Sequence, residues 1–378
     1  MTTLFHGARK LDVDGQVDDF WMLVSGDSIV STGSGPRHPQ ASESIDVAGR
    51  WLVPGFLDLH SHGGGGHAFD DGPEEIRAAL NAHRAHGTTR SVISLVTSPF
   101  DQLKRTLGAV ADLAAADPLV LGSHLEGPFL SPRQNGAHNP KFLIEPLPFE
   151  VQELIGASRG TLRQVTLAPE LPGAFDAIAV LIENGITVAV GHTEATYELS
   201  RRAFEQGARL LTHVFNAMPG IHHREPGPVM AAFENEHVTI ELILDGMHVH
   251  PAVASLLFAS APGRVALVTD AMAAAGADDG NYRLGSLNVT VRDGKAVLSG
   301  TATIAGSTLT LDSALRAALK LVSPREAIAA LTSTPAKALG LEARHGRLAP
   351  GRVADAVLLT HDWQVSEVWA DGRLLSRR

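Results

Sequence analysis

Apolar and polar positions change rhythm twice along the chain. Over the first fifty residues short apolar runs, 21–24 and 28–30, are broken by turn signals such as Gly26-Asp27. The last thirty residues have the same texture, with runs at 354–359, 365–369 and 373–375 around Asp371-Gly372. An Asp-Gly pair between alternating apolar residues is a hairpin signal. Chain ends often lie close together. The pattern therefore predicts one small β domain, a β-sandwich built by both termini from residues 1–52 and 347–378.

The intervening segment, 53–346, alternates two periods. Runs rich in Val, Leu and Ile fall at 55–60, 89–95, 119–126, 164–168, 187–192, 209–215, 239–244 and 264–270. Helical spacing falls between them, as at 73–86, 100–116, 173–184 and 195–206. Near-continuous apolar strands alternating with helices imply a parallel sheet covered on both faces. Eight such units predict an α/β fold, a (β/α)8 TIM-like barrel. The stretch 287–298, centred on Asp293-Gly294, reads as an inserted hairpin.

Composition narrows the function. The 378 residues carry a net charge of −10, which offers no basic footprint for nucleic acid. An anionic substrate would need a local basic pocket. No apolar run approaches the ~18 residues of a bilayer span, and residues 1–11 lack the pattern of a secretory signal. A cytoplasmic protein is expected. Cysteine is absent, which removes zinc–thiolate sites and thiol nucleophiles together. The run Gly63 to Gly66 is followed by no Gly-Lys-Ser/Thr, so it is no phosphate loop, and there is no Gly-x-Ser-x-Gly elbow.

Eighteen histidines against two tyrosines point toward metal or acid–base chemistry. Several, including His38, His83, His86, His345 and His361, sit in no motif and read as surface or packing residues. Others mark strand ends, where barrels of this kind carry their active sites. The first predicted strand ends in His60-Ser61-His62, the third in Glu126, the fifth in His192, the sixth in His213 and the eighth in Asp270; Asp245 and His248 follow the seventh. Residues two apart in a strand face the same way, so His60 and His62 can both point to the barrel axis. His192 and His213 could singly be packed core histidines, but together with Glu126 they read as three ligands of one divalent metal. Many two-metal barrel hydrolases bridge their ions with a carboxylated lysine. Here the lysines (Lys10, Lys104, Lys141, Lys295, Lys320 and Lys337) all fall outside the predicted barrel strands, leaving Glu126 as the bridge. Asp270 is placed as general acid/base, with a helix N-cap as its alternative role.

These motifs resemble the N-acetylglucosamine-6-phosphate deacetylases of the amidohydrolase superfamily. The likeness rests on Pro54-Gly55-Phe56-Leu57-Asp58-Leu59-His60, His124-Leu125-Glu126-Gly127-Pro128-Phe129-Leu130, Gly136-Ala137-His138-Asn139-Pro140, Gly191-His192-Thr193, Thr212-His213-Val214-Phe215-Asn216-Ala217-Met218 and Val268-Thr269-Asp270-Ala271-Met272. It implies hydrolysis of the N-acetyl group of N-acetylglucosamine 6-phosphate in amino-sugar catabolism and recycling. It implies that Glu126, His192 and His213 hold the principal ion and that His60 and His62 hold a second, with Glu126 and Asp270 shared. Two ions are expected, zinc first, with iron, cobalt and manganese as the other ions these donors suit. By the same resemblance His138 polarises the amide carbonyl, Asn216 and Ala217 meet the sugar or the phosphate through side chain and backbone, and Arg224 and His248 hold the phosphate. Arg224 would act in the neighbouring subunit's site, implying a homodimer. The loop 131–135 and the doublet His222-His223 match no family pattern. The remaining readings are a related amidohydrolase of another N-acyl or cyclic amide, and a non-catalytic scaffold.

Overall fold

A computed structural model describes residues 2–378. Its centre is an eight-stranded parallel sheet whose strands run in chain order: Phe56–Asp58, Thr88–Leu95, Val120–Glu126, Leu162–Leu167, Thr187–Val190, Leu210–Leu211, Thr239–Ile243 and Val265–Val268. The ends of the sheet meet just beyond the first and last strands. Asp270 N–H donates to the His60 carbonyl at 2.8 Å, His62 N–H donates to the Ala271 carbonyl at 2.7 Å, and Ser61 bridges Ala271 in parallel. The barrel is thus sewn shut through the residues expected to be functional.

Helices cover the outside. Pro73–Arg84, Pro148–Ala157, Pro251–Ser260 and Pro324–Leu331 each begin with proline, which loses nothing at a position whose N–H has no helical partner. Ser323 and Thr196 cap Pro324–Leu331 and Tyr197–Glu205 by accepting the N–H groups of Glu326 and Leu199. Every residue of Thr88–Leu95 and of Thr239–Ile243 is buried, as strands covered on both faces require.

The termini form a second, mixed eight-stranded sheet that includes Thr2–Asp12, Gly15–Ser25, Trp51–Pro54, Ala356–Leu359 and Val365–Ala370. Thr2–Asp12 lies three places from Val365–Ala370 in the strand order, about 14 Å in a flat sheet. Yet the rings of Phe5 and Trp369 meet edge to face at 5.0 Å. The sheet is therefore folded over a core of its own, with Phe20, Met22, Leu52 and Leu358.

Two expectations change in detail. The inserted hairpin is a three-stranded antiparallel sheet, Gly280–Leu284, Leu287–Arg292 and Lys295–Leu298. Its first strand carries one buried apolar residue, Leu284, so periodicity gave no signal. Several barrel strands also stop early. The run 209–215 yields only Leu210–Leu211, because His213 (φ 25°) and Phe215 (φ 74°) leave the extended region.

Candidate metal centre

Glu126 ends the third barrel strand and is buried at the centre of a ring of imidazoles. Its Oε1 lies 3.0 Å from His213 Nε2, 3.2 Å from His192 Nε2 and 3.3 Å from His60 Nε2; its Oε2 lies 3.1 Å from His62 Nε2 and 3.2 Å from His138 Nε2. Asp270 Oδ1 approaches His62 Nε2 at 3.2 Å and His60 Nε2 at 3.5 Å. The donors fall into two sets that share Glu126: His60, His62, Glu126 and Asp270, and Glu126, His192 and His213. No helix follows Asp270 directly for it to cap; residues 273–276 form a turn.

Hydrogen bonds on the far side of the rings decide which nitrogen carries the proton. His192 Nδ1 lies 2.8 Å from the Gln134 carbonyl, which can only accept, so Nδ1 bears the hydrogen and Nε2 presents a lone pair to the cluster. His60 Nδ1 likewise faces the Glu241 carboxylate at 3.1 Å. His138 is the opposite case. The Thr97 amide, which can only donate, reaches its Nδ1 at 3.3 Å, so the Nε2 hydrogen points at Glu126 and the cavity.

This arrangement is incomplete without a cation. Lone pairs of His60 and His192 face carboxylate oxygens, and the Nε2 atoms of His192 and His213 stand 3.0 Å apart, those of His60 and His62 3.1 Å. Ligand atoms around a four-coordinate ion with ~2.0–2.1 Å bonds lie about 3.3–3.4 Å apart, close to these separations. The donor set fits a divalent metal. Protons make up the charge in its place. Burial opposes a charge on His60, but Glu126 and Asp270 hold its pKa well above the usual histidine value. Burial is likewise overcome at His62, raised to about 9 by bonds to Asp270 and Glu126. Asp270, despite burial, is lowered to about 2 by His60 and His62. His192 stays neutral, lowered to about 4 by burial and the neighbouring His138.

The backbone is strained at the same residues. His192 (φ 46°), His213 (φ 25°), Phe215 (φ 74°), Ala217 (φ 48°) and Asp270 (φ 46°) are all left-handed. Each such residue costs on the order of 1–3 kcal/mol, and such strain gathers at functional sites.

The cluster opens into a cavity of about 320 Å3, at the small end of the ~300–1,000 Å3 range of ligand sites. Of the expected residues, His62, Glu126, His138, His192, His213, Asn216, Ala217, His248 and Asp270 line it. His60 lies beneath them, fully buried. Asn216 spends its amide nitrogen on the carbonyls of His213 and Val214. His248 Nδ1 pairs with Asp245 at 2.7 Å. Arg224 does not line this cavity; it is exposed, with its guanidinium on His223.

Other lining residues had escaped notice. Leu284, Thr303, Ile304 and Gly306 come from the inserted sheet and the segment after it, which carry no chemical motif. The loop 131–135 contributes Arg133 and Gln134, and its Gln134 carbonyl fixes the tautomer of His192. Below the cluster a buried polar layer also passed unremarked: His124 joins Ser94 and Thr166 at 2.9 Å each, and Glu241 joins Gln164 at 2.8 Å. One signal was available, a glutamate in the middle of the otherwise uncharged strand Thr239–Ile243.

Residues 51–375 match the model of the Amidohydrolase family. The chain belongs to the amidohydrolase family. Over the full length of both chains this amidohydrolase is 37% identical to the N-acetylgalactosamine-6-phosphate deacetylase of Escherichia coli O157:H7. It is 36% identical to the N-acetylglucosamine-6-phosphate deacetylase of Bacillus subtilis, over 89% of this chain and 87% of that one. Among solved structures it is similar to an N-acetyl-D-glucosamine-6-phosphate deacetylase mutant from Mycobacterium smegmatis in complex with N-acetyl-D-glucosamine-6-phosphate. That pair has 41% identity, 99% coverage of both chains and a TM-score of 0.94. No helix among the described residues of this amidohydrolase is long and apolar enough to cross a membrane.

Proposed function

We propose that this chain hydrolyses the N-acetyl group of a 6-phosphorylated N-acetylhexosamine, N-acetylglucosamine 6-phosphate first, releasing acetate and the free amino sugar phosphate in the cytoplasm. The observation that carries the reading is Glu126 shared by two donor sets on the floor of a cavity, flanked by His138 and Asp270. When bound in these sets, divalent ions, zinc above all, would supply Lewis-acid polarisation of the amide carbonyl and a lowered pKa for water. Glu126, His192 and His213 would hold one ion; His60, His62, Glu126 and Asp270 would hold the other. Asp270, ionised over the whole neutral range, takes the proton of the attacking water and returns it to the departing amine nitrogen. His138 donates its Nε2 hydrogen to the oxygen on which charge develops.

The phosphate is met by His248 and the Ala217 backbone, and by Arg224 from a second copy of the chain, while the Asn216 side-chain oxygen, its amide hydrogens already spent, accepts from a sugar hydroxyl. Exposed Ile221 and Met247, on the same loops as Arg224 and His248, and exposed Val253 and Leu256 on the helix Pro251–Ser260 that follows, support a homodimer. The full-length likeness to an N-acetylgalactosamine-6-phosphate deacetylase favours a second reading in which the C4 epimer is the better substrate. Zinc-loaded protein assayed for acetate release with both epimers tests the pair. A higher kcat/KM for N-acetylglucosamine 6-phosphate is the expected result. A preference for the galacto epimer selects the second reading, and no acetate from either overturns both.

A further inference from the structure

Glu241 stands in the middle of the seventh barrel strand, entirely buried, and touches neither cavity nor solvent. Its two oxygens meet two different donors. Oε1 accepts from Gln164 Nε2 at 2.8 Å, and Oε2 accepts from His60 Nδ1 at 3.1 Å, with the His213 amide beyond at 3.4 Å. A carboxylate is the only side chain that offers acceptors on both oxygens. A buried carboxylate in an apolar strand is expensive unless its bonds matter to the fold or to the site. His60 has no other partner for Nδ1, so this one contact decides that its hydrogen sits there and that its lone pair is on Nε2, facing Glu126 and Asp270.

We infer that Glu241 is a positioning residue for the metal centre: it fixes the tautomer and the ring plane of His60, so that the ion shared with His62 and Asp270 is held by a ready-made ligand. The inference rests on the two-ion reading above. The other donor set has a support of its own. His192 is fixed by the Gln134 carbonyl, and Glu241 reaches that set only through the longer His213 amide contact. Loss of Glu241 must therefore act unequally on the two ions. Where a carboxylate orients a ligand histidine, its removal costs about 10- to 100-fold in metal affinity.

The test is zinc binding by competition with a chromophoric chelator on wild-type protein, Glu241→Met and Glu241→Gln. Wild type takes up two equivalents. Glu241→Met, which fills the space without an acceptor, weakens one equivalent by about 10- to 100-fold and leaves the other nearly unchanged. Glu241→Gln recovers much of that loss, because its amide oxygen still accepts from His60 Nδ1 once the Gln164 amide turns. Equal weakening of both ions, weakening of neither, or a Gln variant as poor as Met overturns the inference alone. A wild-type protein that takes fewer than two equivalents overturns the two-ion reading with it. If Glu241→Met does not fold, nitrogen-15 NMR of zinc-loaded, histidine-labelled wild type decides: a His60 hydrogen on Nδ1 and metal on Nε2 is expected, and the reverse assignment refutes it.

Discussion

Two groups of buried charges lie at opposite ends of the barrel strands, and they solve the same problem in opposite ways. Near the start of the second strand, Arg90 binds Asp355 through two bonds of 2.7 and 2.9 Å. It reaches Asp371 at 2.5 Å and the Pro118 carbonyl at 2.7 Å. Asp355 precedes a strand of the terminal sheet, so this group sews the sheet to the barrel, and it is complete: a planar cation meets its carboxylates in bidentate fashion. Asp371 also has a positive φ (48°), but there it is ordinary hairpin-turn chemistry. At the other end, five imidazoles converge on the two oxygens of Glu126; the lone pairs of His60 and His192 face carboxylates, and His192, His213 and Asp270 stand on left-handed backbone. The seam satisfies itself, whereas the rim is satisfied only when something positive enters it. That difference separates charges that hold the fold from charges that wait for a ligand.

Swapping the kind of damage at the two ends should expose the contrast. Asp270→Asn keeps the shape of the rim while removing the group that shuttles the proton. Turnover should fall by about 10²–10⁴-fold, with the ion at Glu126, His192 and His213 retained and the ion at His60 and His62, which loses a charged ligand, held more weakly. If steady-state kinetics find kcat within a few-fold of wild type, Asp270 is not the acid/base, and the rim has lost its distinguishing property.

Arg90→Ala is the counterpart at the seam. It leaves Asp355 buried without its partner, and removing one member of a buried pair costs about 3–5 kcal/mol. Chemical denaturation should register that loss, while kcat per folded molecule stays close to wild type. A large fall in kcat with unchanged stability would mean that the seam communicates with the rim and that the division drawn above is wrong.

How much of this was legible in the sequence follows the same division. Apolar rhythm gave the barrel because its strands are buried on both faces, and the ligand histidines stood out because they end those strands. Strand lengths were overestimated where it mattered most. Val190, Leu211 and Val268 are the last extended residues before His192, His213 and Asp270, which turn left-handed to bring their side chains together. A hydrophobic pattern carries no information about that turn. Arg90 and Asp355 lie 265 positions apart, and neither sits in a motif, so their pairing is visible only in three dimensions. The cavity wall from Leu284, Thr303 and Ile304 escaped for the same reason. Glu241 was nearer the surface of the pattern, an uncompensated charge in a buried strand.

Protons are the mildest probe, and they should act on the two ends in different pH ranges. At the seam, burial pushes Asp355 upward but the nearby His345 and the bonds from Arg90 prevail, so its folded pKa lies below the unfolded value near ~3.9. A depressed carboxylate contributes stability above the unfolded value and loses it as pH falls through the folded one, so Asp355 itself adds no pH dependence between pH 6 and 9. At the rim the sign reverses. His62 is raised to about 9 in the metal-free protein, so its contribution to metal-free stability is complete below ~6.5 and disappears as pH rises through 9. A metal ion must displace that proton. Each unit of pH between ~6.5 and 9 should therefore tighten ion binding at His60 and His62 by up to about tenfold, or ~1.4 kcal/mol. The thermal midpoint of the metal-free protein should drift down over the same interval, and that of zinc-loaded protein should not, because the ion supplies the positive charge that the protons had supplied. Zinc affinity and thermal midpoints measured from pH 6 to 9, with and without a chelator, read both effects at once. Parallel behaviour of the two forms would mean that the rim does not hold its protons in place of a metal.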